Sequence, residues 1–358
     1  MSSQTSSLEP GRASVTYPTG WFWVAWSHEV SVEDAPRPLR YFGRDLVLYR
    51  GASGRPVVLD AHCPHLGAHL GYGGSVCDDD IVCPFHGWRW APDGSNVEIP
   101  YDDKISTSRT VGAWSVHEVG GVILVWHDAE GRPPAWTPRD IPEIGDPGFY
   151  PLSDAVAATW RNRRVAPENP IENVCDPAHL KYVHGSGSVP KVLSYGGEGH
   201  RFGSVLEYLF GEGHESTWFT PDGPVLGRLD AQSDGIGISV TRYFGVHETV
   251  QIFGVTPVDG ELSDVWSAIV PRRLPGDDGD VPTGTIAKIV RHFNGQFEAD
   301  FPIWEHMAYV PNPPLARVEA KPFTSARRWI KQFYDGTAGA PGTPVTVGDH
   351  AAGDAEGA

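Results

Sequence analysis

Two short stretches of the chain each place a cysteine next to a histidine. Cys63 and His65 are two positions apart, and Cys83 and His86, which follow after seventeen intervening residues, are three positions apart. Thiolates and imidazoles are the side chains that hold zinc and the irons of iron–sulfur clusters. Together the two stretches predict a metal centre bound by two Cys and two His.

The distribution of these four ligands over the two loops distinguishes a zinc site from an iron–sulfur cluster. A zinc finger usually takes both cysteines from one segment and both histidines from another. Here each loop supplies one Cys and one His, and a Rieske [2Fe–2S] cluster needs two Cys on one iron and two His on the other. Glycines around both loops allow backbone N–H groups to approach the sulfurs. We therefore predict a Rieske cluster held by Cys63, His65, Cys83 and His86.

A second candidate metal site lies in residues 172–184. His179 and His184 have four residues between them, so both can reach one metal where a helix ends or loosens. Asp176 lies three residues before His179 and is expected on the same helical face, and Asn173 faces the same region by its spacing. Alone, this histidine pair is more often structural, but a ferrous site that activates O₂ needs two His and one carboxylate.

A third ligand has to come from elsewhere in the chain. The acidic stretch 296–305 offers Glu298, Asp300 and Glu305. Such a cluster is often only the solvated face of a helix, so the residue types alone leave the choice open.

The elements that position these residues fall into two regions. From Trp21 to about His127, short β-branched and aromatic runs are separated by Gly, Asp and Pro, which is typical of an all-β module. The second region has a helical stretch near 168–184, strands from about 201 to 270, and a helix over 283–306 with apolar residues at helical spacing. A last short helix is expected at 327–334. The fold class is thus α+β.

The composition and charge exclude several classes of function. The 358 residues carry a formal net charge of -17, which argues against binding of nucleic acid or of an anionic membrane surface. No apolar run is long enough to span a bilayer, and residues 1–10 lack the features of a secretory signal. Four cysteines do not make a disulfide framework in a chain of this length, so a cytoplasmic location is expected.

The first motif resembles the Rieske domain of aromatic-ring and steroid oxygenases. This resemblance implies a Rieske domain at residues 18–135 after a flexible leader (1–17), and a helix-grip-like catalytic domain with an antiparallel sheet at 136–335 before a disordered tail (336–358). The residues that carry it are Cys63, His65, Gly67-Ala68, Cys83-Pro84-Phe85-His86-Gly87-Trp88 and Trp90.

The pattern D-x2-H-x4-H resembles the mononuclear iron motif of the same family. The resemblance implies that His179 and His184 bind Fe(II), and that a late helix supplies the carboxylate, for which Asp300 fits best and Glu298 is the fallback. Asp176 would bridge to a cluster histidine of a neighbouring subunit and control electron transfer. Asn173 is a weaker candidate in this site.

Further stretches resemble the 3-ketosteroid 9α-hydroxylase oxygenase component and the cholesterol 7-desaturases. This implies a head-to-tail homotrimer that hydroxylates a hydrophobic, steroid-like substrate with O₂. No G-x-G-x-x-G motif follows a strand, so a separate NAD(P)H-dependent flavin and iron–sulfur reductase or a ferredoxin is expected to deliver electrons. Desaturation, demethylation and oxidative cyclisation remain alternatives, and a Rieske electron carrier without catalysis would not need so long a chain. The stretches are 57–63, 83–90, 99–101, 124–128, 296–304 and 327–334.

Overall fold

The computed structural model describes residues 16–211, 220 and 223–338. Most of the predicted leader (1–15) and most of the predicted tail (339–358) lie outside the described residues. At the start of the described chain, the ring of Tyr17 packs edge-on against Phe42, with 6.0 Å between the centroids. None of the helices in the described ranges is long and apolar enough to cross a bilayer.

The first half of the chain is all-β, as predicted. Its strands form three antiparallel sheets in the orders β1-β10-β9, β2-β3-β4 and β5-β6-β7-β8. The apolar run of β10 is buried at every position, as expected for a strand covered on both faces. The strands are β1 Gly20–Trp26, β2 Arg37–Tyr41, β3 Arg44–Arg50, β4 Pro56–Asp60, β5 Ser75–Cys77, β6 Asp80–Val82, β7 Arg89–Trp90, β8 Asn96–Glu98, β9 Val116–Val119 and β10 Val122–His127.

The second half is built on one antiparallel sheet with the strand order β11-β17-β16-β15-β14-β13-β12 in the described part. A long helix, α3, packs against it and buries the apolar residues that recur at helical spacing. The α+β class and the helix-grip-like arrangement are therefore confirmed. The elements are β11 Ala157–Arg163, α1 Asn169–Asn173, α2 Pro177–Tyr182, β12 Lys191–Glu198, β13 Arg201–Phe210, β14 Val225–Asp234, β15 Ser239–Phe244, β16 Thr249–Asp259, β17 Leu262–Pro271, α3 Gly284–Trp304 and α4 Ala320–Lys331.

The predicted helical stretch at 168–184 is wrong in one respect, because it is two short helices with a break between them. Pro177 is the first residue of α2, and Asp176 before it has extended backbone angles (φ -108°, ψ 93°). Proline disfavours a helical conformation in the residue that precedes it. Asp176 and Asn173 therefore do not share one helical face with His179, although all three remain near one another in the chain.

The last helix begins earlier than predicted. It runs from Ala320 to Lys331 and ends before Tyr334, so the expected range 327–334 covers only its second half. The buried side chains of Ala326, Trp329 and Ile330 face the core.

The two halves share a core between β1 of the first half and the central strands of the second half. The rings of Trp23 and Trp266 stack with 5.5 Å between centroids and 5° between planes. Beside them Asp264, which is 5% exposed, accepts hydrogen bonds from Tyr41 Oη (2.9 Å) and Arg161 Nη1 (2.7 Å). This core fixes the position of the cluster-bearing half against the catalytic sheet.

Candidate metal centres and substrate cavity

The two predicted cluster loops have the same backbone structure. The N–H of Gly67 donates to the carbonyl of Cys63 (2.9 Å), and the N–H of Gly87 donates to that of Cys83 (3.0 Å). Both glycines have positive φ angles, 80° and 71°, which other residues rarely adopt. The N–H of each cysteine in turn donates to the carbonyl five residues later, at 2.8 Å in both loops. The sequence thus encodes one loop twice, and the two copies face each other.

The loops bring all four predicted cluster ligands together in a small buried space. Cys63 and Cys83 are 1% and 3% exposed, and the rings of His65 and His86 lie 4.8 Å apart. Nδ1 of both histidines is buried without a hydrogen-bond partner among the described residues. Unpartnered buried nitrogens are rare in folded proteins. Two such nitrogens beside two buried thiols fit the donor set of a Rieske cluster.

The electrostatics of the thiols favour the same assignment. Burial raises the pKa of Cys63, and the neighbouring Cys83 raises it further, while a hydrogen bond from the backbone of His65 opposes both effects. Two adjacent buried thiolates are unfavourable without compensating positive charge. The irons of a cluster would supply that charge.

The histidine side of this centre opens on an apolar surface. The ring of His65 stacks on Trp88 (4.3 Å, 8°), whose Nε1–H donates to Tyr101 Oη (2.7 Å). Leu66, Phe85 and Tyr101 are each 60–65% exposed. We call these three residues the cluster patch.

The second predicted centre also assembles in the structure. One ligand atom each from His179, His184 and Asp300 lies within 4.8 Å of the other two. His184 Nε2 is 3.5 Å from Asp300 Oδ1, and the two imidazole rings are 5.1 Å apart. Nδ1 of His184 is buried without a partner among the described residues, and Asp300 is 5% exposed. Two imidazoles and one carboxylate fit the donor set of a non-haem Fe(II) site.

The start of α2 orients the first of these histidines. The carboxylate of Asp176 caps the helix by accepting the N–H of Ala178 (2.9 Å), and its carbonyl oxygen accepts the Nδ1–H of His179. Burial lowers the pKa of His179, and Asp300 partly offsets this. The imidazole is therefore neutral, and its Nε2 lone pair is available to a metal. His184 lies just beyond the last residue of α2, where the chain leaves the helix.

The structure brings only one of the three candidate carboxylates to the histidines. Asp300 lies on the inner face of α3 beside His184. Glu298 is exposed and accepts a hydrogen bond from Trp160 Nε1 (2.7 Å), and Glu305 forms an ion pair with Arg163 (2.7 Å). These two glutamates have partners on another face.

A cavity of about 930 Å³, including its mouth, opens beside the His179, His184 and Asp300 site. One wall is the inner face of the catalytic sheet and the other is α3 with α1 and α2. Asn173 lies in this wall, and its Oδ1 is 3.4 Å from Trp304 Nε1. The lining is largely apolar, with few polar groups, as in sites for hydrophobic ligands.

Most of the cavity lining escaped sequence reasoning. The sequence of β13 shows that alternate side chains are buried, but it does not show which strands pair with β13. The residues that line the cavity are Pro170, Asn173, Val174, His179, Leu180, His184, Ser204, Leu206, Tyr208, Phe210, Leu229, Ala231, Thr241, Tyr243, Gln251, Phe253, His292, Phe293, Gln296, Phe297, Asp300 and Trp304.

Family models match both halves of the chain. The model of the Rieske [2Fe-2S] domain matches residues 20–109, and that of the 3-ketosteroid 9α-hydroxylase C-terminal domain matches residues 125–334. Among curated proteins, a 3-ketosteroid-9-alpha-monooxygenase oxygenase component from Rhodococcus rhodochrous is 28% identical over 91% of this chain and 84% of its own length. Cholesterol 7-desaturase nvd from Bombyx mori is 30% identical over 89% of this chain and 70% of its own length.

Solved structures share the fold at low identity. NdmA of Pseudomonas putida CBB5 with caffeine superposes with a TM-score of 0.71 and 18% identity, covering 93% of this chain and 97% of NdmA. Dicamba monooxygenase bound to 3,6-dichlorosalicylic acid gives a TM-score of 0.71 and 17% identity, covering 89% of this chain and 98% of that protein.

Proposed function

Because this chain belongs to the Rieske non-haem iron oxygenases, in the family that has the 3-ketosteroid 9α-hydroxylase C-terminal domain, we propose that it hydroxylates a steroid-like substrate with O₂. The observation that carries this proposal is the position of His179, His184 and Asp300 in the wall of a largely apolar cavity. We assign these three residues as ligands of a mononuclear Fe(II), and Cys63 and His65 with Cys83 and His86 as ligands of the cluster. When bound, the cluster supplies electrons one at a time and the mononuclear iron supplies O₂ activation.

The residues around the iron site have three tasks in this proposal. The carbonyl of Asp176 holds the proton of His179 on Nδ1 and so fixes the orientation of the ring. Asn173 and Trp304, joined by their 3.4 Å contact, form a wall beside the iron ligands. The aromatic and aliphatic lining excludes water from the substrate, which favours binding of a flat hydrocarbon skeleton.

The proposal includes a homotrimer in which the cluster of one chain serves the iron of the next. The cluster patch is apolar and exposed, and such patches are typical of protein contacts. Asp176 starts the helix that carries Tyr182, whose side chain is 79% accessible, so the surface around Tyr182 lies close to the iron ligands and is the second contact surface in this proposal. A head-to-tail contact between these two surfaces closes into a ring. Asp176 would then bridge the two centres across the contact.

The bridging role of Asp176 has its own test. Asp176→Asn keeps an oxygen to cap α2 and keeps the carbonyl that holds His179, so both centres should load with metal. We expect cluster oxidation in the presence of substrate and O₂ to slow by orders of magnitude, as followed by stopped-flow absorbance. A variant that reoxidises at the wild-type rate would show that the carboxylate does not bridge the centres.

A separate NAD(P)H-dependent reductase or ferredoxin in the cytoplasm completes the proposed system. The sequence has no nucleotide-binding glycine motif after a strand, none of the four cysteines forms a disulfide, and Cys77 and Cys175 outside the cluster are free thiols. Free thiols are typical of a reducing compartment.

The experiment that tests the reaction is a single turnover of the pre-reduced holoenzyme with ¹⁸O₂ and 3-ketosteroids, analysed by mass spectrometry. This design needs no reductase. A product with one ¹⁸O atom supports hydroxylation. The similarity to a cholesterol 7-desaturase favours desaturation as the second candidate, and a product that lacks two hydrogens and carries no label would select it. Reoxidation of the cluster with no steroid product would contradict the substrate class.

A further inference from the structure

Four residues form a row across the floor of the substrate cavity. Ser204 of β13 pairs with Ala231 of β14, Ala231 pairs with Thr241 of β15, and Thr241 pairs with Gln251 of β16. All four line the cavity and are at most 7% exposed. Three of the four have polar side chains. Because directly paired residues in neighbouring strands point to the same face, these groups form a polar row in a largely apolar cavity.

The far end of this row, on β16, is satisfied within the protein. Oε1 of Gln251 accepts a hydrogen bond from Tyr243 Oη (2.9 Å), and its Nε2 lies 3.4 Å from Ser267 Oγ. These contacts hold the amide in one orientation.

The near end of the row, on β13, is not satisfied. Ser204 is 1% exposed, and its Oγ has no hydrogen-bond partner among the described residues. Elsewhere in the same sheet the buried hydroxyls of Ser233 and Ser239 bond to each other at 2.8 Å. An unpaired buried hydroxyl is energetically unfavourable, so its presence in a binding cavity indicates that a ligand supplies the partner.

The position of Ser204 gives the direction in which a ligand would lie. Helix α3, which carries Asp300, packs over β15 and β16 through Phe293 on Tyr243 (4.3 Å) and Phe297 on Phe253 (5.4 Å). Ser204 is two strands beyond β15, about 10 Å at the usual strand spacing. A ligand that lies along the row therefore reaches from α3, the helix that carries Asp300, to the hydroxyl of Ser204 on β13.

We propose that the Ser204 hydroxyl donates a hydrogen bond to a ketone or hydroxyl oxygen at one end of a mostly hydrocarbon substrate. This proposal rests on the proposed function and adds the group that sets the register of the substrate in the cavity. The ligand class is a rigid, flat hydrocarbon with an oxygen acceptor at its end. A pure hydrocarbon of the same shape leaves Ser204 unpaired and binds more weakly.

The test compares ligands that differ by one oxygen. The fully metallated protein is titrated by equilibrium dialysis with an androstane that has ketones at positions 3 and 17, and with the two analogues that each lack one of these oxygens. In the wild type, removal of the anchored oxygen should weaken binding about three- to tenfold, which matches the usual contribution of one hydrogen bond. Removal of the other oxygen should have a smaller effect.

Two variants separate a binding role of the hydroxyl from a structural role. Ser204→Ala should weaken the diketone about three- to tenfold and leave the analogue without the anchored oxygen unchanged. Ser325→Ala is the matched control, because its Oγ is also buried and unpartnered but lies on α4, away from the cavity lining. It should leave all three affinities unchanged.

The outcomes distinguish this proposal from the function on which it rests. Equal weakening of all three ligands by Ser204→Ala, or no weakening of the diketone, overturns the anchor and leaves the steroid assignment intact. If the wild type binds none of the three steroids, the steroid assignment fails, and the anchor fails with it.

Discussion

The buried carboxylate of Asp264 is expected to make a large contribution to the stability of the joined halves. It accepts hydrogen bonds from Tyr41 Oη (2.9 Å), Arg161 Nη1 (2.7 Å) and the backbone N–H of Asn162 (2.9 Å). Asp264→Asn keeps the shape of the side chain but removes its charge and turns one acceptor into a donor. The amide has a single oxygen, so either the backbone N–H of Asn162 or the pair of Tyr41 and Arg161 loses its acceptor, and Arg161 loses its counter-charge.

The expected loss in the free energy of unfolding follows from these contacts. Removal of one partner of a buried ion pair costs about 3–5 kcal/mol. The Arg161 side chain is 38% exposed, so solvent recovers part of the loss, and we expect the lower end, about 3 kcal/mol. For a chain of 358 residues that corresponds to a fall in melting temperature of roughly 4 °C.

The assay is equilibrium unfolding in urea, followed by intrinsic tryptophan fluorescence, to which Trp23 and Trp266 in this core contribute. Asp259→Asn is the matched control, because Asp259 pairs with Arg40 next to Tyr41 at 2.7 Å but in an exposed position. Exposed pairs contribute about 0–1 kcal/mol. If both variants lose the same stability, or if Asp264→Asn loses less than about 1 kcal/mol, the reasoning is refuted.

Three further predictions concern the metal centres and pH. Asp300→Ala should lose the mononuclear iron and keep the visible spectrum of the cluster, whereas Glu298→Ala should keep both; loss of iron only in the second variant would contradict the ligand assignment. Burial lowers the pKa of His127, so the free energy of unfolding should fall as the pH drops from about 6.5 through that lowered value, because only the unfolded chain binds the proton there. His127→Gln should reduce this slope in denaturation curves between pH 8 and 5, and an unchanged slope would exclude His127 as its source. Gly67→Ala, at φ 80°, should destabilise the loop by about 1 kcal/mol and lower the cluster content measured by absorbance. Gly54→Ala introduces the same strain, at φ 77°, away from the cluster and should leave the cluster content unchanged. An equal loss of cluster in both glycine variants would point to general misfolding.

The sequence alone indicates most of the proposed metal ligands because these ligands are local. Each cluster loop carries its Cys and His within four residues, and His179 and His184 are five positions apart. Asp300 is more than a hundred residues after His184 in the chain. Its assignment as the third iron ligand therefore depended on the resemblance to a family and could not follow from the spacing of the residues.

Two features were missed for different physical reasons. The break before α2 had a visible signal, since Pro177 restricts the residue that precedes it. The polar row of Ser204, Thr241 and Gln251 had none, because its members come from different strands and meet only through long-range pairing. Single polar residues in apolar strands do not reveal which other strands lie beside them.

The iron and acid-labile sulfide content of the purified protein tests the central claim most directly. A Rieske cluster with a mononuclear site predicts about three irons and about two sulfides per chain. In Asp300→Ala the iron should fall to about two while the sulfide stays the same. A content of two irons in the wild type, or of zinc without sulfide, would contradict the account.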